Sequence, residues 1–133
     1  YSTKRRIMRP KKTYLIDNAL ISFLSSQFSP DREKMLENQI LGKLKREQKE
    51  VYYFKANNEC DFIIKEGMKI TAAIQVCYDL NEKNKDRKLK ALLEAIKCFN
   101  LKQGLILTYD QEKEMKIEEI KVIVKPAWKW LLE

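Results

Sequence analysis

Histidine is absent from all 133 residues, so no mechanism in this chain can use an imidazole as base, proton shuttle or metal ligand. Glycine and proline occur only three times each, which excludes a collagen-like, linker-like or low-complexity chain. Cysteine is scarce as well: Cys60, Cys77 and Cys98 are odd in number, scattered and set in apolar segments. That pattern excludes a disulfide framework and a zinc knuckle, and a reduced, cytoplasmic setting is expected. No apolar run is long enough to span a membrane. There is also no glycine-rich phosphate loop ending in Gly-Lys-Ser or Gly-Lys-Thr, so ATP binding is not a property of this stretch.

What is present is the composition of a single folded domain, 44% hydrophobic and 35% charged, large enough to bury a core without disulfides. The net charge of +8 is unevenly spread. Residues 1–12 hold six of the 27 Lys and Arg and none of the 19 Asp and Glu, leaving the body at 21 basic against 19 acidic, only +2. Residues 1–12 are therefore expected to be a basic linker and residues 13–133 the domain. The start, Tyr1-Ser2-Thr3-Lys4-Arg5-Arg6, has no initiator Met and no apolar signal region, as expected of a piece of a longer protein. Such an arm touches phosphates, or it is a solvated linker or a surface packed on the rest of the parent.

Along the chain, Thr13 to Ile16 reads as extended, and Asp17 offers a cap for a short helix using Leu20, Phe23 and Leu24. Ser29-Pro30-Asp31 is a second helix start, and Leu36, Ile40 and Leu44 at i, i+4 and i+8 predict one buried face to about Glu47. Val51-Tyr52-Tyr53-Phe54 predicts a first strand, Cys60 to Lys65 a second and Lys69 to Tyr78 a third, with turns at Asn57-Asn58 and Glu66-Gly67. A helix from Asn81 through Phe99 buries Leu89, Leu92, Leu93, Ile96 and Phe99. Leu105 to Tyr109 is a continuous apolar run suited to a strand covered on both faces. A charged loop and a last strand, Ile120 to Val124, precede the Trp128-Lys129-Trp130-Leu131-Leu132 tail. One of the two tryptophans is expected on the body, the other toward solvent or a missing domain.

Alternation along strands adds the chemistry. Asp61 should point away from the face of Phe62, and Gln75 and Cys77 should share a face opposite Ile74 and Val76. The order helix, three strands, helix, strand, with an acid facing polar positions at i and i+2, resembles the αβββαβ core and site of PD-(D/E)XK nucleases, the restriction-endonuclease-like fold. More specific are Lys12-Thr13-Tyr14-Leu15-Ile16-Asp17, Leu36-Glu37-Asn38, Glu50 to Lys55, Glu59-Cys60-Asp61-Phe62, Ile74 to Leu80 and the tryptophan tail. Together they resemble the DUF4143-type C-terminal domain of bacterial and archaeal P-loop (AAA-type) ATPases, over nearly the whole chain.

The resemblance implies an α/β restriction-endonuclease-like fold, a mixed sheet flanked by helices with a short N-terminal helical extension. It implies that ATP binds only in an upstream ATPase domain of the same parent chain. It assigns Glu37 to the acid of the first core helix, Asp61 to the central metal-binding aspartate with Glu59 just before it, and Gln75 and Cys77 to the acid-x-lysine pair. Glutamine and cysteine at those positions make the catalytic set Asp61, Gln75 and Cys77 degenerate. Mg²⁺ or Mn²⁺ would draw on Glu37, Asp61, the Gln75 amide oxygen and the Val76 carbonyl, with less negative charge than an intact site. Lys88 and Lys90 on the following helix are the candidates to substitute for the missing lysine, a matter of spatial placement that the sequence leaves open.

Each of these residues has a blander reading. Asp61 is a strand-end acid paired or facing solvent, and Cys77, lacking a histidine partner, is a small buried hydrophobe. Lys85, Arg87, Lys88 and Lys90 either track a phosphate backbone or form a solvated face interleaved with Glu82 and Asp86. Two functional readings follow. One is a nucleic-acid-binding domain, with DNA the expected partner, whose metal-dependent phosphodiesterase activity is weakened or lost. The other is a catalytically dead module that docks the ATPase domain or a protein partner. No membrane partner is expected, and a homo-oligomer is compatible with either.

Overall fold

The β-branched and aromatic runs form strands, and the helices that cover them bury the residues their spacing picked out. A computed structural model describes residues 7–10 and 32–133. Its elements are β1 (Ile7–Pro10), α1 (Arg32–Arg46), β2 (Glu50–Lys55), β3 (Glu59–Glu66), β4 (Lys69–Val76), α2 (Lys85–Cys98), β5 (Gln103–Thr108), β6 (Lys113–Ile117), β7 (Ile120–Pro126) and α3 (Ala127–Leu131). The extended segment from Thr13, the short helix after Asp17 and the start at Ser29-Pro30-Asp31 lie outside the described residues.

Among the described residues, seven strands form one mixed sheet in the order β1-β2-β3-β4-β5-β7-β6. β1 to β4 meander antiparallel, β4–β5 and β5–β7 are parallel, and β6–β7 is an antiparallel hairpin. The fold is mixed α/β, and the expected αβββαβ order runs from α1 to β5. Helix α2 covers one face, packing Leu89, Leu92, Ala95 and Ile96 on Phe54, Ile63, Ala73, Ile106 and Val122. Helix α1 covers the other, packing Leu36, Ile40 and Leu44 on Phe62, Ile64, Ile74, Val76 and Leu107. The run predicted to be covered on both sides is so: Ile106 enters the first cluster and Leu107 the second.

Both long helices end without glycine. Gln48 (φ 59°) and Asn100 (φ 56°) take the left-handed conformation, and Lys49 N and Leu101 N donate back to Leu44 O and Ile96 O at 2.9 Å each, closing Schellman caps. The tail docks through Lys43, which is 8% exposed and donates to Trp130 O (2.6 Å) and Glu133 O (3.0 Å) with its ammonium over the Trp130 ring. Trp130 meets the α1-side core while Trp128 is 57% exposed. Among the described residues no helix is long and apolar enough to cross a membrane.

Three expectations are corrected. Within residues 1–12, expected to be a linker, Ile7–Pro10 pairs with β2 at the sheet edge. Helix α2 begins at Lys85 rather than Asn81, because the Asn81 side chain accepts from Lys83 N and Asn84 N in a preceding turn and Asn84 becomes the N-cap. The charged loop is strand β6, turned into β7 by Glu118 (φ 51°) and Glu119 (φ 69°), two residues in the geometry of a type I′ turn.

Candidate functional site

The site begins as an irregularity in β3. Its register with β2 runs Phe54↔Cys60 and then Tyr52↔Ile63, so Asp61 and Phe62 together oppose Tyr53. This β-bulge bends the strand and re-aims the side chain it carries. On the other side, the β3–β4 ladder starts only at Phe62↔Ile74. Beyond that point side chains replace the ladder. The Gln75 Oε1 accepts from Asp61 N at 2.9 Å, the Gln75 Nε2 donates to Glu59 O at 3.2 Å, and the Asp61 Oδ2 accepts from Val76 N at 2.9 Å. Two residues assigned to catalysis thus close the end of a sheet.

The predicted faces hold. Ile74 and Val76 enter the α1-side core and Cys77 the α2-side core, and Gln75, 2% exposed, turns toward α2. Cys77 is 0% exposed. Burial pushes its thiol above the ordinary cysteine range, and the Lys88 ammonium only partly offsets this. A thiol held neutral is a poor nucleophile, so the structure treats Cys77 as a core residue.

Around Asp61 and Gln75 opens a pocket of about 340 Å³, lined also by Glu33, Asn58, Glu59, Arg87, Lys88 and Ala91. Lys88 reaches in from α2, only 4% exposed. Its ammonium donates to Glu33 Oε1 at 2.8 Å and to Val76 O at 2.7 Å. The other Glu33 oxygen, Oε2, accepts from Tyr78 N at 3.3 Å. The first turn of α1, the carboxyl end of β4 and the first turn of α2 are therefore tied at one point.

The sequence missed Glu33. The resemblance assigned the helix acid to Glu37, which is half-buried one turn further along α1 and is not among the residues lining the pocket. Both sit on one helical face, four residues apart. What selects Glu33 is that the first turn of α1, not the second, meets Tyr78 N and Lys88. The anticipated basic stretch is also divided. Lys88 is buried, Arg87 is exposed at the pocket rim, and Lys90 is exposed about 60° round the helix from it at 100° per residue. Measured from Lys88, which enters the pocket, Lys85 is about 60° round the helix and Lys90 about 160°, on the side away from the buried face.

A divalent ion fits this donor set poorly. Mg²⁺ and Mn²⁺ demand several carboxylate, carbonyl or water oxygens. Here one oxygen of three of the four ligands that the resemblance supplies is engaged by a nitrogen, Asp61 Oδ2 by Val76 N, Gln75 Oε1 by Asp61 N, and Val76 O by Lys88, and the fourth, Glu37, does not line the pocket. Among the described residues no three Cys, Asp or Glu side chains converge on one point.

The chain is similar to an uncharacterized protein of Methanocaldococcus jannaschii, 38% identical over 143 aligned positions that cover 99% of this chain and 32% of that protein. It thus spans about a third of that relative's length. No protein-family model matches the chain, and no solved structure matches it.

Proposed function

We propose that this is a nuclease-fold domain of a longer cytoplasmic protein that binds nucleic acid and has lost phosphodiester hydrolysis. The observation that carries the reading is one pocket, at the bulged end of β3, that gathers Asp61, Gln75, Glu33 and Lys88 with Arg87 at its rim. The gathering follows the nuclease layout, but the polar atoms are spent on the sheet and on one another. Arg87, at the pocket rim, is the expected phosphate contact, and DNA is the expected ligand. An upstream P-loop ATPase domain, where ATP would bind, is part of the proposal. A relative about three times the length leaves room for such a domain, and three free thiols accord with a reducing compartment.

Two assays test this. Labelled duplex and branched DNA should bind in a salt-dependent manner, and Arg87→Gln should weaken binding at every sequence and flatten the salt slope by about one. Incubation with Mg²⁺ or Mn²⁺ should leave the DNA intact. Cleavage that Asp61→Asn abolishes would make the domain a working nuclease. No retention of DNA or RNA would favour the second reading, a docking module, for which the exposed Trp128 (57%) and Leu132 (81%) on the tail speak.

A further inference from the structure

The pocket contains a cation of its own. A lysine 4% exposed is unusual on a helix whose neighbouring buried positions are Leu89, Ala91, Leu92, Ala95 and Ile96, because a buried ammonium loses its hydration and must recover it from fixed acceptors. Lys88 recovers it from two oxygens, the Glu33 carboxylate at 2.8 Å and the Val76 carbonyl at 2.7 Å. The Val76 carbonyl is one of the ligands the resemblance supplies, and Glu33 stands one helical turn before Glu37, the acid it assigned. The ammonium also lies in the same pocket as Asp61, so it supplies positive charge to a pocket lined by the carboxylates of Glu33, Glu59 and Asp61.

An ammonium carries one charge and three donors at hydrogen-bond distance. A divalent ion carries two charges and binds oxygens at about 2.0–2.6 Å. Both cannot hold Val76 O and Glu33 Oε1 at once.

We propose that Lys88 is the resident cation of this pocket, standing in the place of a divalent ion, and that it closes the native domain to Mg²⁺ and Mn²⁺ there. Removing its charge would open a divalent-cation site built from Glu33, Asp61 and the Val76 carbonyl. The inference rests on the nuclease-like reading of the fold only for where an ion would sit. It does not depend on nucleic-acid binding, and its test reads metal alone.

The probe is Mn²⁺, followed by the electron paramagnetic resonance signal of the free aqua ion, with folding of each variant checked by circular dichroism. The native domain should leave that signal as a Glu33→Gln control leaves it. Lys88→Met and Lys88→Gln should each bind one Mn²⁺ about tenfold or more tighter than the native domain, and adding Glu33→Gln to either should abolish the gain. One equivalent bound by the native domain in a Glu33-dependent manner would overturn the proposal, and so would folded Lys88 variants with no gain. Should neither variant fold, the native domain decides alone. Selective broadening of the Asp61 and Val76 amide resonances by Mn²⁺ would overturn the inference, and broadening confined to exposed acids would support it.

Discussion

Restoring an acid at position 75 should damage the fold rather than repair an enzyme. Gln75 is 2% exposed and uses both ends of its amide: Oε1 accepts from Asp61 N at 2.9 Å, and Nε2 donates to Glu59 O at 3.2 Å. Gln75→Glu keeps the acceptor but replaces the donor with a second oxygen, so the Glu59 carbonyl meets an acceptor. Leaving that carbonyl unmet costs about 1–3 kcal/mol, and a buried carboxylate in the pocket of Asp61 adds a desolvation and repulsion cost of several kcal/mol before relief. A stronger bond from Asp61 N and the field of Lys88 return part of it. The net expectation is a loss of about 2–4 kcal/mol at pH 7, or with a urea slope near 2 kcal/mol/M a midpoint lower by about 1–2 M.

The penalty has a pH signature. Burial and Asp61 both raise the pKa of the introduced carboxyl in the folded state above its unfolded value. The cost is therefore present above the folded pKa and fades as pH falls through it, when the protonated acid can donate to Glu59 O. Urea unfolding of native, Gln75→Glu and Gln75→Met chains at pH 7 and pH 5 separates the effects. The glutamate variant should recover toward native stability at pH 5, whereas methionine, which lacks both hydrogen bonds, should show the same deficit at both pH values. A Gln75→Glu chain as stable as native at pH 7, or one that Mg²⁺ stabilises, would refute the reasoning.

A Cβ at Gly104 would overlap Ile96 Cδ1 and come within 3.0 Å of both Leu92 methyls, so Gly104→Ala should force β5 and α2 apart and cost about 1–3 kcal/mol, read as a lower thermal midpoint. Glu118 (φ 51°) and Glu119 (φ 69°) are held in a conformation that L-residues resist, so Glu118→Asn/Glu119→Gly should stabilise the domain by about 1 kcal/mol, despite losing the exposed pairs with Lys97 and Lys116; a lower urea midpoint would refute this. Because burial raises its pKa, Cys77 should resist iodoacetamide in the native chain and react freely in urea. By linkage, its thiol weakens the fold only as pH rises past the unfolded value near 9.0, where the unfolded chain ionises and the folded one does not; equal labelling rates in both states would refute the account.

Much of the fold was legible because strand and helix periods coincide with burial. Val51 to Phe54, the hairpin at Gly67 and the α2 stripe all follow from residue type. Gly67, at φ 66°, occupies the first position of a two-residue turn that only glycine enters without strain. The β6–β7 hairpin was illegible for the opposite reason, since Glu118-Glu119 carries none of the Asn-Gly chemistry that marks such a turn. The Asp61 bulge left no mark in residue type either; it emerges only when β2 and β3 pair. Lys88 did leave one, a lysine on the buried side of an amphipathic helix four residues before Leu92, yet its partner Glu33 is 55 residues away. Periodicity cannot reach across that separation.

Asp61 therefore has an explanation that does not require catalysis. A working metal site keeps carboxylate oxygens turned toward water or an ion, and that frustration costs stability, which is why replacing catalytic acids often stabilises an enzyme. Here the bulge turns Asp61 onto Val76 N and Gln75 onto the backbone of Glu59 and Asp61, so each repairs a gap in the β3–β4 ladder. Were the acid frustrated, Asp61→Ala would raise stability; as a fastener it should lower it by about 1–3 kcal/mol, with Val76 N left unmet. Asp61→Asn, which can still accept from that N–H, should lose less. The order native, then asparagine, then alanine in decreasing stability is what a fastening role for Asp61 requires, and the reverse order is what a strained catalytic acid requires.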